Sequence, residues 1–232
     1  MAIASIPIDF HKQSNIHYCR FHFMNNQKKC VIICDGELSS KEAISKELTD
    51  SGLLIAADGG ALALAEMNIT PDVIIGDFDS YQPTGNEQAV VIEDPDQETN
   101  DLEKSLNYAK RKSANHAVVF GATGKRLDHT LKNLSVLLQF HPKFNHIVFK
   151  DRYSTMEIVL SPFKRNFQPG TSISLFPLSG TVEGITTKGL KFPLTKGTLK
   201  NGFQDGSSNQ TVKKEVEIEF KKGDLLLLVN HE

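Results

Sequence analysis

The chain has 232 residues, 39% of them apolar and 23% charged, and 26 Lys and Arg nearly balance 28 Asp and Glu, for a formal net charge of −2. A chain of this length buries a core without disulfides, and its cysteines, Cys19, Cys30 and Cys34, lack a CxxC spacing, so we expect reduced thiols rather than metal ligands. The balanced charge argues against nucleic acid or a membrane surface as a partner.

Residues 1–27 show no pattern typical of a folded segment. They mix His, Arg and aromatic residues without a helical or strand period, and Met24 shortly precedes the first convincing strand. They also lack the apolar core of a signal peptide, and no apolar run in the chain approaches the roughly 20 residues of a membrane span. We therefore predict a poorly ordered appendage at 1–27 and a cytoplasmic protein.

Residues 28–152 alternate short β-rich runs with longer helical runs. The strand-like runs are continuously apolar, which is typical of parallel strands covered on both faces. This pattern predicts an α/β catalytic domain with a Rossmann-like parallel sheet. The predicted strands span 30–36, 53–61, 72–76, 89–93, 116–121 and 146–150, and the predicted helices span 40–52, 61–68, 100–112 and 126–140.

The pattern changes at residue 153, after which no convincing helix follows. Short β-rich runs are joined by turns rich in Gly, Pro and Ser, which is typical of a sandwich or a small barrel. We predict a small all-β sandwich domain over 153–232. Its predicted strands span 154–160, 171–178, 180–189, 216–220 and 224–230.

Acidic residues recur just after the predicted strands of the first domain. The carboxyl ends of parallel strands share one edge of a sheet, where ligands bind in such folds, so these acids should line one rim. Carboxylates held that close repel each other unless a cation neutralises them, and Mg²⁺ is the natural candidate. A lone DxD pair is more often a turn or a cap, but the repeated placement favours a metal site. The acids are Asp35, Asp58, Asp77, Asp79, Asp96, Asp101 and Asp128.

Two glycine-rich turns accompany the acids, at residues 58–61 and 121–125. Missing side chains let backbone N–H groups approach phosphates, although a plain tight turn explains either one equally well, and neither turn has the spacing of a P-loop. Lys125 and Arg126 could offset phosphate charge or be solvated charges at a helix start. No GxSxG or HExxH motif is present, and we expect His129 to orient Asp128 or to cap a helix.

Four motifs in this order closely resemble the thiamine pyrophosphokinase family: ADGGA (57–61), PDVIIGDFDS (71–80), DQETNDLEKSL (96–106) and GATGKRLDHTLKNL (121–134). The resemblance continues with GLKFPL (189–194) and GSSN (206–209). It implies an α/β catalytic domain followed by a β-sandwich, a homodimer, and transfer of the pyrophosphoryl group of ATP to the hydroxyl of thiamine, with release of AMP. It also implies active sites shared between the subunits.

The resemblance assigns roles to residues by motif. Mg²⁺ and the triphosphate would be held by Asp77, Asp79, Asp96 and Asp101. The candidates for catalytic roles are Asp77, Asp101 and Asp128, and one of them would accept the proton of the thiamine hydroxyl. ATP would meet Asp58, Gly59, Gly60, Gln97, Lys104, Thr123, Arg126 and Asn133. Thiamine would meet Phe192, Ser208 and Asn209.

One departure and two alternatives stand beside this interpretation. The family commonly has Thr where this chain has Asn100, a residue that can still donate and accept hydrogen bonds. The first alternative is another Mg²⁺-dependent transferase that uses nucleotides at a DxD site, or a phosphatase with Asp77 as nucleophile. The second is a sensor of thiamine or thiamine diphosphate without catalysis, against which the retained acids argue.

Overall fold

The computed structural model describes residues 28–231, and the predicted appendage at 1–27 lies outside the described residues. The described chain forms a ten-stranded mixed sheet with helices and a separate four-stranded antiparallel sheet. The predicted fold class, an α/β domain followed by a small all-β domain, is confirmed. None of the helices between residues 28 and 231 is long and apolar enough to cross a membrane.

Six parallel strands form the first part of the large sheet, in the order β6-β5-β1-β2-β3-β4. They are β1 (Lys29–Ile33), β2 (Leu53–Ala57), β3 (Val73–Gly76), β4 (Val90–Glu93), β5 (His116–Phe120) and β6 (His146–Lys150). The helices are α1 (Lys41–Leu48), α2 (Gly60–Glu66), α3 (Asp101–Arg111) and α4 (Leu127–Phe140), and a 3₁₀ turn follows at His141–Lys143.

Helices cover both faces of the parallel strands, as the continuous apolar runs predict. Ile44 of α1 and Leu64 of α2 pack on one face, whereas Leu106 of α3 and Phe140 of α4 pack on the other. The strand order reverses between β1 and β5, because β2 to β4 build outward on one side and the chain then returns through α3. Such a switch point leaves a crevice at the carboxyl ends of the two strands.

The chain continues as β7 (Ser154–Val159), β8 (Phe163–Asn166), β9 (Ser172–Pro177), β10 (Thr181–Lys188), β11 (Gly197–Lys200), β12 (Gly206–Gln210), β13 (Glu215–Glu219) and β14 (Leu225–Asn230). Strand β7 pairs antiparallel with β6, so β7, β14, β9 and β12 extend the parallel sheet in that order. The facing sheet has the order β11-β10-β13-β8.

The core of the sandwich lies between these two sheets. Ile173 and Leu227 of the large sheet face Val182 and Ile218 of the small one, and all four are fully buried. The two parts of the chain are therefore joined by one continuous sheet rather than by a loose linker. The domain boundary at 152/153 stays an interpretation of the sequence.

Candidate active site

A cavity of about 470 Å³ opens at the carboxyl ends of the parallel strands. The loops after β1, β2, β3, β4 and β5 all contribute to its wall, together with the first turns of α3 and α4. This is the crevice that the reversal between β1 and β5 creates. The cavity is thus where the sequence predicts the acids to collect.

Three carboxylates meet in this cavity. Asp58, Asp77 and Asp101 each offer an oxygen within 4.8 Å of the others. Asp58 follows β2, Asp77 follows β3, and Asp101 is the first residue of α3. Gly76 permits this approach, because a Cβ atom at that position would lie 2.6 Å from the Cβ of Asp58.

The backbone around the acids adopts conformations that are costly for residues other than glycine. Asp58 has a φ of 41°, and Phe78, buried between Asp77 and Asp79, has a φ of 60°. Left-handed geometry at such residues costs on the order of 1 kcal/mol or more and persists where the surrounding structure enforces it. The turn at Asp58 also explains why β2 ends at Ala57, whereas the sequence predicts a strand to residue 61.

Burial and hydrogen bonds set the charge of the three acids. Asp58 is only 3% exposed and accepts hydrogen bonds from the backbone N–H groups of Ser80 and Tyr81, both at 3.1 Å. Burial raises the pKa of Asp58 to about 6, although these N–H groups oppose the rise. Burial also raises the pKa of Asp101, with Lys104 opposing the rise. The Gln97 amide, 2.8 Å from Asp77 Oδ2, lowers the pKa of Asp77.

This arrangement fits a divalent cation. The donors are carboxylate oxygens, the ligands that Mg²⁺ prefers, and burial makes their unneutralised charges costly. The close group differs from the set that the resemblance implies, because it contains Asp58 and lacks Asp79 and Asp96.

The other two predicted metal ligands engage neighbours in their own loops. Asp79 lines the cavity and accepts a hydrogen bond of 2.8 Å from the Ser80 hydroxyl. Asp96 is exposed, outside the cavity lining, and accepts hydrogen bonds from the Thr99 hydroxyl at 2.6 Å and the Glu98 N–H at 3.1 Å. The Thr99 hydrogen bond lowers the pKa of Asp96. The geometry therefore favours Asp58 over Asp96 as the third close ligand, whereas Asp79 lies beside the close group, with its carboxyl next to that of Asp58.

Cationic side chains surround the acids, as a phosphate-binding site requires. Lys104 is buried, with its Nζ atom 3.4 Å from Asp101 Oδ1. At the rim, Lys125 pairs with Asp35 at 2.8 Å. Gln97 and Lys104, both predicted to meet ATP, line the cavity.

Arg126 pairs with Asp128 at the rim, with its Nε atom 3.1 Å from Asp128 Oδ1. The hydrogen bonds from Arg126 lower the pKa of Asp128 to about 2. Arg126 lines the cavity, but Asp128 does not. In this arrangement Asp128 is a weak proton acceptor.

The remaining residues predicted to meet ATP divide into two groups. Gly59 and Asn133 line the cavity, but Gly60 and Thr123 do not. A Cβ atom at Gly60 would lie 2.1 Å from the carbonyl oxygen of Ile33, so this glycine lets α2 pack on β1. The Thr123 hydroxyl donates to Asp151 Oδ2 at 2.7 Å, which ties its loop to the turn between β6 and β7.

Asn133 is 7% exposed, and both ends of its amide bind other parts of the chain. Its Nδ2 donates to the carbonyl oxygen of Ala122, and its Oδ1 accepts from Asn100 Nδ2, both at 2.8 Å. Asn100 also caps α3 in a capping box with Glu103. The spacing of Asn100 and Glu103 is the usual sequence signal for such a box, so this cap could have been predicted.

The residues predicted to meet thiamine lie together, but away from the acids. Asn209 is 8% exposed and binds the backbone of Phe192 through its Oδ1 (3.1 Å to the N–H) and its Nδ2 (2.8 Å to the carbonyl). Phe192 is 60% exposed, and Ser208 has a φ of 57°. None of the three lines the acidic cavity.

Their distance from the acids follows from the order of the strands. Ser208 and Asn209 lie on β12, the edge strand, seven strand intervals from β2, which Asp58 follows. At about 4.8 Å per interval this is roughly 34 Å across the sheet. Within one chain, the two groups of predicted site residues are therefore separate.

Comparisons with known proteins identify related chains. Residues 44–149 match the family described as "Thiamin pyrophosphokinase, catalytic domain", and residues 162–225 match "Thiamin pyrophosphokinase, vitamin B1 binding domain". The chain is 25% identical over 185 residues to thiamine pyrophosphokinase of Bacillus subtilis, covering 76% of this chain and 86% of the relative. It is 30% identical over 191 residues to thiamine pyrophosphokinase 1 of Oryza sativa, covering 68% of this chain and 71% of the relative.

Solved structures show the same fold. Thiamin pyrophosphokinase from Geobacillus thermodenitrificans superposes with a TM-score of 0.76 at 25% identity, covering 88% of this chain and 98% of that one. The enzyme from Candida albicans superposes with a TM-score of 0.77 at 18% identity, covering 89% of this chain and 90% of that one.

Proposed function

Because this chain belongs to the thiamin pyrophosphokinase family, we propose that its acidic cavity transfers the pyrophosphoryl group of ATP to the hydroxyl of thiamine. The products are thiamine diphosphate and AMP. The observation that carries this proposal is the meeting of Asp58, Asp77 and Asp101 beside buried Lys104 at the switch point of the sheet. The comparisons support neither the alternative transferase nor the sensor.

The triphosphate of ATP fits the cavity through a cation and through cationic side chains. Bound by the three acids, Mg²⁺ would supply charge neutralisation at the phosphates during transfer. Lys104 and Gln97 would contact phosphate oxygens from inside the cavity. Arg126 and Lys125 would exchange their present carboxylate partners for phosphate at the rim, where both pairs are more than half exposed and so weak.

The thiamine hydroxyl must lose its proton as it attacks the β-phosphorus in line with the leaving AMP. Of the three predicted acceptors, burial makes the Asp101 carboxylate more basic, whereas Arg126 makes Asp128 less basic and Gln97 makes Asp77 less basic. Because Mg²⁺ bound to Asp77 and Asp101 would lower the basicity of both, each of the three stays a candidate for direct test.

The active enzyme is proposed to be a homodimer that shares its sites. The thiamine residues of one chain lie seven strand intervals from β2, which Asp58 follows, so they are roughly 34 Å from its own acids, which is farther than thiamine spans. A second copy can supply them across a twofold axis, so that each site combines the acids of one chain with Phe192, Ser208 and Asn209 of the other. Since the reaction consumes ATP, a cytoplasmic location remains part of the proposal.

One assay tests the function. The protein is incubated with Mg²⁺, ATP and thiamine, and we expect thiamine diphosphate and AMP in equal amounts. A matched control replaces the thiamine hydroxyl with hydrogen and should give no thiamine-dependent AMP. ADP in place of AMP would exclude pyrophosphoryl transfer.

A further inference from the structure

We propose that Asn100 and Asn133 form a positioning pair that holds Asp101 in the acidic group. Asn100 precedes Asp101 directly and is the N-cap of α3. Its Nδ2 atom donates to Asn133 Oδ1 on α4, and Asn133 Nδ2 donates to the Ala122 carbonyl just after β5, both at 2.8 Å. This chain of hydrogen bonds connects the start of α3 to the centre of the large sheet.

The link matters because the backbone route to α3 is exposed. Strand β4, which precedes α3, is the edge strand of the sheet, and three of its four residues are exposed. The connection from β4 to α3 contains exposed Asp96, and it contacts the end of β3 through hydrogen bonds from the Asp94 N–H to the Gly76 carbonyl (2.9 Å) and from the Gln97 amide to Asp77 (2.8 Å). By contrast, β5 lies between β1 and β6 in the interior of the sheet. Anchoring Asn100 to Ala122 therefore ties Asp101 to a well-packed part of the sheet.

Other contacts between the start of α3 and helix α4 also hold Asp101 in position. Asn100 Oδ1 accepts from the Glu103 N–H at 3.0 Å, and the buried Glu103 carboxylate pairs with Lys132 of α4 at 2.6 Å. The first turn of α3 is thus bound to α4 through two neighbouring residues, Lys132 and Asn133. Asp101 must stay close to Asp58 and Asp77 despite their repulsion, and a fixed helix start resists that repulsion.

The pair gives Asn133 a role other than the predicted contact with ATP. If Asn133 acts through Asp101, its loss should weaken cation binding before any nucleotide is present. If it contacts ATP directly, its loss should raise the KM for ATP and leave cation binding alone. The inference rests on the proposed cation site, but it is tested without turnover.

The experiment measures Mn²⁺ binding to the full chain by calorimetry without nucleotide, well below the melting temperature of every variant. Asn133→Leu removes both hydrogen bonds at similar volume. Asn100→Ser keeps an oxygen that can cap α3 but removes the amide that reaches Asn133. Asn107→Ser and Asn107→Leu make the same changes at an exposed position of α3 and serve as matched controls.

We expect each single variant to bind Mn²⁺ at least about tenfold more weakly, as is typical for residues that orient metal ligands. The double variant should be no weaker than the weaker single variant, because the two residues act through one link. The Asn107 controls should bind like the unaltered chain.

Unchanged Mn²⁺ affinity in both single variants would overturn the proposal, and so would losses that add in the double variant. A raised KM for ATP with normal Mn²⁺ binding would make Asn133 an ATP ligand instead. Failure of the unaltered chain to bind Mn²⁺ would also overturn it, while production of AMP from ATP and thiamine reports separately on the proposed function.

Discussion

Cation binding should depend on pH because one of the three acids holds its proton unusually tightly. The pKa of Asp58 is raised to about 6, against an ordinary value of 3.8. Without a cation, the folded state therefore binds more protons than the unfolded state between pH 4 and 6, so this group lowers stability as pH rises through that window. A cation must displace the proton, so its affinity should change in the opposite direction.

The magnitude follows from the fraction of Asp58 that is ionised. With a pKa of about 6, roughly one carboxyl in ten is ionised at pH 5 and roughly nine in ten at pH 7. The Kd for Mn²⁺ should thus be about tenfold higher at pH 5, or about 1.4 kcal/mol. Calorimetric titration at pH 5, 6 and 7 measures this difference directly.

Two variants sharpen this test. Asp58→Asn should bind Mn²⁺ weakly and with little change between pH 5 and 7. Asp96→Asn should bind like the unaltered chain, because Asp96 lies outside the close group and its pKa is lowered. Equal affinity of the unaltered chain at pH 5 and 7 would refute the assignment of Asp58, and weak binding by Asp96→Asn would favour the ligand set that the sequence motifs imply.

Three further predictions concern catalysis, assembly and stability. Asp77→Asn should lower kcat by at least ~10²-fold, and because the hydrogen bond from Gln97 lowers the pKa of Asp77, its melting temperature without metal should fall or stay equal; near-normal turnover would exclude Asp77 as a ligand. Asp101→Asn and Asn209→Ala should each be nearly inactive, but refolding an equal mixture should restore about a quarter of full activity, since half the dimers then hold one intact site; no recovery despite confirmed subunit exchange would reject shared sites. Glu157 is 5% exposed, and although burial opposes it, hydrogen bonds from His146 and Arg165 lower the pKa of Glu157 to about 2. The stabilisation that ionised Glu157 gives the fold should be present above about pH 4.5 and be lost as pH falls toward 2. Glu157→Gln should therefore make the free energy of unfolding depend less on pH in this range and lower it at pH 7 by about 3 kcal/mol; an unchanged pH dependence would contradict this.

The parallel sheet could be predicted because its evidence is local. Each apolar run ends in an acid or a glycine turn, and strands of one direction bring those ends to one edge, so Asp77 and Asp101 could be placed together without a structure. The choice among the neighbouring acids could not be made this way. Asp58 joins them because of a left-handed turn and the space at Gly76, which depend on packing between β2 and β3.

Several strands and one strand pairing of the second domain could not be predicted from the sequence. Strands β8, β11 and β12 are absent from the sequence prediction, because they are short, lie at sheet edges and carry few buried residues. Pairing between β6 and β7 was also not predictable, since it joins Phe149 to Met156 across a turn that has no distinctive spacing. The hydrogen bonds between Asn209 and the Phe192 backbone could not be predicted for the same reason, because they form only when β12 is paired in the sheet.

The position of β14 affects how the protein is made on the ribosome. The parallel strands β1 to β6 are contiguous in the chain and can pair as they emerge, from residue 29 to residue 150. Strand β14, the last in the described chain, lies between β7 and β9 and forms hydrogen bonds with both. The extension of the sheet toward β12 therefore stays incomplete until Leu225–Asn230 has left the exit tunnel. A nascent chain would hold the acidic cavity early and complete the sheet that carries the proposed thiamine residues only after β14 has emerged, so termination before β14 would yield chains with one half of a site.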